Sequence, residues 1–180
     1  LIAGATNDRD YMSEKQIDNA DAKLLVSAYR DYYKTLPEKV QQRLEQDWGE
    51  APGDVFLYDD FLLIPGMMNG NIFFTMQPPR GFGEDPDKIY HAPTHHYLGF
   101  YHWLRDIWGA DAMMHIGTHG SLEWLPGKGV AMCDECYPDI CTGDLPNIYP
   151  YWVVDTGEGI QAKRRSAACL ISYLSAPLSI

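Results

Sequence analysis

The chain has 180 residues, 46% of them hydrophobic, and carries 14 Lys and Arg against 25 Asp and Glu, a net charge of −11. That length buries a real core. The acidic balance is a poor match for nucleic-acid phosphates, which need clustered cations, and no apolar run approaches the roughly 18 residues of a membrane span. The opening LIAGATNDRD lacks an initiator Met, a basic segment and an apolar segment, and so reads as an interior piece of a longer cytoplasmic protein.

Ser13 followed by Gln16 has the form of a capping box and predicts a helix through Ile17, Leu24, Ala28 and Tyr32. Thr35-Leu36-Pro37 ends it and starts another, with Val40, Leu44 and Trp48 four apart. Residues 1–54 thus read as an acidic helical segment, with seven bases against thirteen acids in residues 1–60. Residues 55–180 read as an α/β core. In it FLLIP and NIFFTMQ are short buried strands separated by the glycine-rich GMMNGN, and PPRGFGEDP is a loop. Thr94 caps a helix from His95 to Trp108. DAMMHIG is a strand, NIYPYWVV is a strand kept near an edge or bent by Pro150, and GEGIQAKRRSAACLISYLS is a closing helix.

All six histidines lie between His91 and His119, and three of the four cysteines between Cys133 and Cys141. In MMHIGTHGSLEWLPGKG, His115, His119 and Glu123 are spaced by four, and two imidazoles with a carboxylate suit a divalent transition metal. Gly117 and Gly120 argue against one continuous helix. They place His115 at a strand end, His119 in a loop and Glu123 in a short turn, where the histidines could equally be structural. No Glu adjoins the first His, so this is not the H-E-x-x-H zinc-protease pattern. A zinc hydrolase on the three residues stays open. His95, His96 and His102 sit on a helix and read as packing groups.

Cys133, Cys136 and Cys141 give C-x2-C-x4-C, the reverse of plant-type iron–sulfur spacing. A structural zinc would need a fourth ligand. Lys163-Arg164-Arg165 either grips carboxylates of an anionic ligand or is a basic face neutralised by this acidic protein. GFGEDP lacks the third glycine of a dinucleotide fingerprint. LPGKG lacks both the Ser or Thr and the upstream glycine of a P-loop.

QPPRGFGEDP, PTHHYLGFYHWLRD, HIGTHGSLEWLPGKG, CYPDICTGDLPNIYPY and GEGIQAKRRS, in that order, resemble the large subunit of ATP-dependent cobaltochelatase (CobN), a family that includes the magnesium chelatase large subunit. The resemblance covers roughly residues 61–180 and implies an excised portion of a large multidomain subunit. It implies tetrapyrrole metallation, with ATP hydrolysed by separate AAA+ partners, which fits the missing P-loop. In the cobalt branch Co2+ enters hydrogenobyrinate a,c-diamide on the way to cobalamin; in the magnesium branch Mg2+ enters protoporphyrin IX. PPRGFG, THHY and EWLPGK lean toward cobalt. A non-catalytic tetrapyrrole-binding module is the rival. On this reading His115, His119 and Glu123 handle the metal, and Glu123 serves as base for ring protons. Arg80, Lys163, Arg164 and Arg165 orient the macrocycle's carboxylates.

Overall fold

The computed structural model describes residues 13–81, 91–117, 119–152 and 156–173. Two compact units divide the chain, Leu1–Trp103 and Leu104–Ile180. No helix of the described residues is long and apolar enough to cross a membrane.

The first unit opens on α1 (Glu14–Asp18), where the backbone N–H of Ser13 donates to Gln16 Oε1 at 2.8 Å as a capping box requires. The helix expected to run on to Tyr32 stops there. Asn19 Nδ2 donates back to the Lys15 carbonyl at 2.7 Å, and Lys23–Leu25 is instead a strand, β1. Its central Leu24 is buried, and one buried leucine fits either period. Helices α2 (Val26–Tyr33) and α3 (Glu38–Trp48) follow, the latter with Pro37 as N-cap and Val40 and Leu44 buried.

Strands β2 (Leu57–Tyr58) and β3 (Phe61–Leu63) complete an antiparallel sheet in the order β1-β3-β2. Because β1 pairs with β3, the acidic helical segment shares its unit with the strands that follow and is not divided from them at residue 54. GMMNGN, expected as a separator, supplies β4 (Gly66–Asn69), which pairs with β5 (Ile72–Thr75) as a hairpin turning at Gly70, φ +60°. Only one side of β5 is covered. Phe73 packs on Trp103 with ring centroids 5.1 Å apart and fills the space a Cβ on Gly66 would need, whereas Ile72 and Phe74 are exposed. Of the loop over residues 78–86, positions 82–86 lie outside the described residues.

Thr94 Oγ1 accepts from the Tyr97 N–H at 3.1 Å and starts α4 (His95–His102), all eight residues of which are buried. The helix expected to reach Trp108 gives way to a π-helical turn over Trp103–Ile107. The α4 histidines pack and hydrogen-bond. His95 Nδ1 meets Tyr29 Oη at 2.8 Å and its Nε2 meets the Gly49 carbonyl at 2.9 Å. His102 stacks on Tyr32 at 4.0 Å.

His96 donates from Nε2 to the Leu63 carbonyl at 2.8 Å, and its Nδ1 has no hydrogen-bond partner among the described residues. Complete burial pushes this imidazole down to about 4, against the smaller upward pull of the Leu63 bond. A histidine depressed in the folded state binds its proton more readily when unfolded. Its neutral form therefore favours folding above the unfolded value near 6.5, and that contribution is lost as pH falls toward 4, by about 3 kcal/mol at the acid limit. Replacing His96 with Gln, whose amide can still donate to Leu63, should flatten stability between pH 6.5 and 4 in denaturant melts.

The second unit is built on a parallel sheet in the order β6-β7-β8: β6 (Met113–Met114), β7 (Asn147–Trp152) and β8 (Cys169–Tyr173). Pro150 was expected to keep its strand near an edge or bent, and of these the edge position is not found: β7 is central in the three-stranded sheet. The proline is tolerated because β6 pairs only with Asn147 and Ile148, so at Pro150 the ladder continues on the β8 side alone. The closing segment is likewise not one helix. α6 spans Thr156–Arg165, Ala167 turns the chain at φ +49°, and Cys169 onward pairs with β7. A 3-10 turn (Leu122–Trp124) and α5 (Tyr137–Thr142) complete the unit, in which Leu122, Leu125, Cys136, Tyr137 and Cys141 are buried.

Candidate active site

The site grows from the C-terminal ends of the parallel strands, where α/β sheets commonly seat their chemistry. The His115 N–H donates to the Ile148 carbonyl at 2.9 Å and so extends the β6 ladder by one residue. Its Nδ1 lies 2.8 Å from Asn147 Oδ1. The Asn147 amide nitrogen donates to the carbonyl and hydroxyl of Ser166, each at 3.2 Å, so the oxygen is left to accept. This fixes His115 with its proton on Nδ1 and its lone pair on Nε2. Desolvation holds the imidazole below its ordinary value, against the bond to Asn147.

His119 follows in the loop, with its side chain 70% exposed, and its Nδ1 lies 2.9 Å from Glu158 Oε2. The other Glu158 oxygen accepts the Gly120 N–H at 2.9 Å. Glu158 stands in the first turn of α6 and is buried. It was not among the residues expected at the site, although GEG belongs to the motifs that carried the resemblance. A carboxylate bonded to Nδ1 orients the ring and keeps the lone pair on Nε2, as outer-shell carboxylates do for metal-binding histidines.

Glu123 lies in the 3-10 turn and is 2% exposed. Tyr149 Oη donates to its Oε1 at 3.3 Å. Burial first, then the charge and hydrogen bond of Glu158, raises its carboxyl to about 7, against its own backbone N–H and Tyr149. The facing Glu158 adds to the rise because two buried carboxylates side by side repel. Gly120 is what lets them close. A Cβ there would stand 2.9 Å from both Glu123 oxygens and from Tyr149 Oη.

The expected residues divide accordingly. Glu123 and His119 are joined through Glu158, whereas His115 is held by Asn147. Among the described residues no three His, Cys, Asp or Glu side chains form a ready metal cage, so His115, His119 and Glu123 do not close as a ligand set by themselves.

Arg165 departs from its expected role of gripping a ligand. It is buried, and its guanidinium donates to the carbonyls of Glu123 at 2.8 Å, Leu125 at 2.7 Å and Lys128 at 3.0 Å. It clamps the loop, while Lys163 and Arg164 are exposed on α6. Arg80 lies in the first unit, where its carbonyl accepts from the Thr94 N–H at 3.2 Å.

Large apolar side chains are exposed on the same segments. They are Met114 (54%) and Ile116 (78%) on either side of His115, Trp124 (44%) beside Glu123, and Ile160 (47%) two residues past Glu158.

A family model described as CobN/Magnesium Chelatase matches residues 1–180. The chain belongs to that family. Among relatives of this CobN/magnesium chelatase chain, an uncharacterized protein of Methanocaldococcus jannaschii is 53% identical over 100% of this chain and 15% of its own length. The aerobic cobaltochelatase subunit CobN of Pseudomonas aeruginosa is 42% identical over 99% of this chain and 14% of its own. Among solved structures, the catalytic subunit of cobaltochelatase from Mycobacterium tuberculosis superposes with a TM-score of 0.80 at 40% identity, over 98% of this chain and 17% of that one. The chain therefore spans about one-seventh of the length of the two curated relatives. Its mixed helix-and-sheet architecture is that of part of a chelatase subunit.

Proposed function

We propose that this chain carries the metal-transfer edge of the macrocycle-binding subunit of an ATP-dependent cytoplasmic chelatase. It inserts Co2+ into a corrin precursor, hydrogenobyrinate a,c-diamide, with ATP hydrolysed by separate AAA+ subunits. The observation that carries this reading is the buried Glu123–Glu158 pair, with Glu123 raised to about 7 and His119 on the outer face of Glu158.

Insertion requires that a divalent cation lose water while ring nitrogens lose protons. The ionised carboxylate pair receives the cation from His119, whose Nε2 lone pair supplies a neutral donor. As the cation passes to the ring, each proton the pair takes up offsets charge that the cation leaves uncovered. The buried charge thus stays nearly constant, which a low-dielectric site demands. Met114, Ile116, Trp124 and Ile160 offer apolar area for a flat ring. Lys163 and Arg164 meet its peripheral carboxylates.

The full-length protein should quench Trp124 fluorescence on titration with macrocycle, and Trp124→Ala should weaken binding by about tenfold, as loss of a buried aromatic contact does. Adding Co2+ or Mg2+ then, with and without AAA+ partners and ATP, separates the branches. Insertion of Mg2+ into protoporphyrin IX but no Co2+ into the corrin ring would assign the magnesium branch. Binding without insertion of either would leave a carrier module.

A further inference from the structure

The segment from Cys133 to Cys141 takes no part in the carboxyl site, yet it packs behind the loop that bears Glu123. Cys133 Sγ and Cys136 Sγ lie 3.5 Å apart, brought together by a turn in which the Cys136 N–H donates to the Cys133 carbonyl at 2.8 Å. All four cysteines are reduced. Cys133 is half-buried and so reachable, whereas Cys136 is buried beneath it. The Glu135 backbone N–H, the Cys136 thiol and the Lys128 ammonium lower the Cys133 thiol below its ordinary value. Burial raises Cys141 instead and leaves it inert. The pair thus divides into an accessible attacking thiol and a resolving thiol within reach of it.

The same sulfur touches the loop. The Lys128 N–H donates to Cys136 Sγ at 3.4 Å, and Gly127 lies so close that a Cβ on it would stand 3.0 Å from Cys136 Cβ. The Lys128 carbonyl is one of the three that Arg165 clamps.

We propose that Cys133 and Cys136 form a redox dithiol that closes to a disulfide by exchange with a small-molecule disulfide, slackening the Lys128 end of the Glu123 loop. The Cys133 thiolate attacks one sulfur of RSSR, forms Cys133–S–S–R and expels one thiolate. Cys136 then gives up its proton to solvent, and its sulfur attacks that of Cys133. This forms the intramolecular bond and releases the second RS⁻, which water protonates. Two cysteine thiols are oxidised and one RSSR is reduced to two RSH. Closure brings the sulfurs to about 2.05 Å and takes from the Lys128 N–H the acceptor it now uses. None of this depends on the metal-transfer role of Glu123.

The full-length protein, titrated with oxidised glutathione, tests this by non-reducing peptide mapping and by hydrogen exchange on the peptide containing Lys128. The expected result is a Cys133–Cys136 disulfide, absent in Cys133→Ser, with exchange at the Lys128 amide several-fold faster in the oxidised wild type. In the reduced protein Cys133 should alkylate on the order of tenfold faster than the exposed Cys169. Glutathione that stays on Cys133 without ring closure would overturn the proposal. So would a closed disulfide with unchanged exchange at Lys128.

Discussion

Glu123→Gln and Glu158→Gln, each in the full-length subunit, should lower the insertion rate by about 100-fold or more, the scale expected for loss of a positioned proton acceptor. Macrocycle binding should stay within a few-fold of wild type. The two variants fail for different reasons. Gln at 123 keeps an acceptor for Tyr149 Oη but removes the carboxyl raised to about 7. Gln at 158 can still accept the Gly120 N–H, but its amide nitrogen then faces His119 Nδ1 and drives that ring to its other tautomer. In the wild type the Glu123 carboxyl must be ionised to receive the cation. Insertion should therefore rise with pH through an apparent value near 7, set by Glu123, and Glu123→Gln should abolish it. A Glu123→Gln protein that retains both rate and inflection removes the pair from the mechanism.

Arg165→Met should be the most destabilising single change in the second unit. Three carbonyls, those of Glu123, Leu125 and Lys128, lose charge-assisted donors at once. Each buried acceptor left bare costs about 1–3 kcal/mol, and because the three share one donor group their losses do not add fully. The expected cost is about 3–5 kcal/mol. Lysine at this position reaches one carbonyl at most and should recover only a fraction. Arg164→Met, on the exposed side of the same helix turn, should shift the melt by less than about 0.5 kcal/mol and instead weaken macrocycle binding. Denaturant unfolding followed by macrocycle titration separates the two. Equal destabilisation by both substitutions would contradict the clamp.

Adjacent residues in one basic cluster thus do unlike things, because successive helical residues point about 100° apart. Sequence spacing carries the type of side chain but not its direction, which is why KRR reads as one patch. The same limit explains Glu158. Its importance comes from contacts 38 and 39 residues back, and nothing in GEG itself signals them. Elements marked by local chemistry were legible: the Pro37 start of α3, the Thr94 cap of α4, and the strand-then-loop path from Met113 to Gly120. Elements made by partners were not. β1 hides inside a helical period because its one buried side chain, Leu24, suits both. β4 hides in GMMNGN because its glycines read as a turn until β5 pairs with it. β8 hides at the end of a helical pattern because its identity depends on the β7 edge beside it.

Two anchors of the loop that carries His119 and Glu123 come from α6, Glu158 on Gly120 and Arg165 on three carbonyls. Both anchors arrive late in synthesis. Glu158 follows Gly120 by 38 residues and Arg165 follows Glu123 by 42. As the chain leaves the ribosome, the loop emerges before either residue that anchors it from α6. A nascent chain halted just short of Glu158 already holds both histidines, Glu123 and Tyr149 but neither anchor. The loop is made well before the two side chains that hold it.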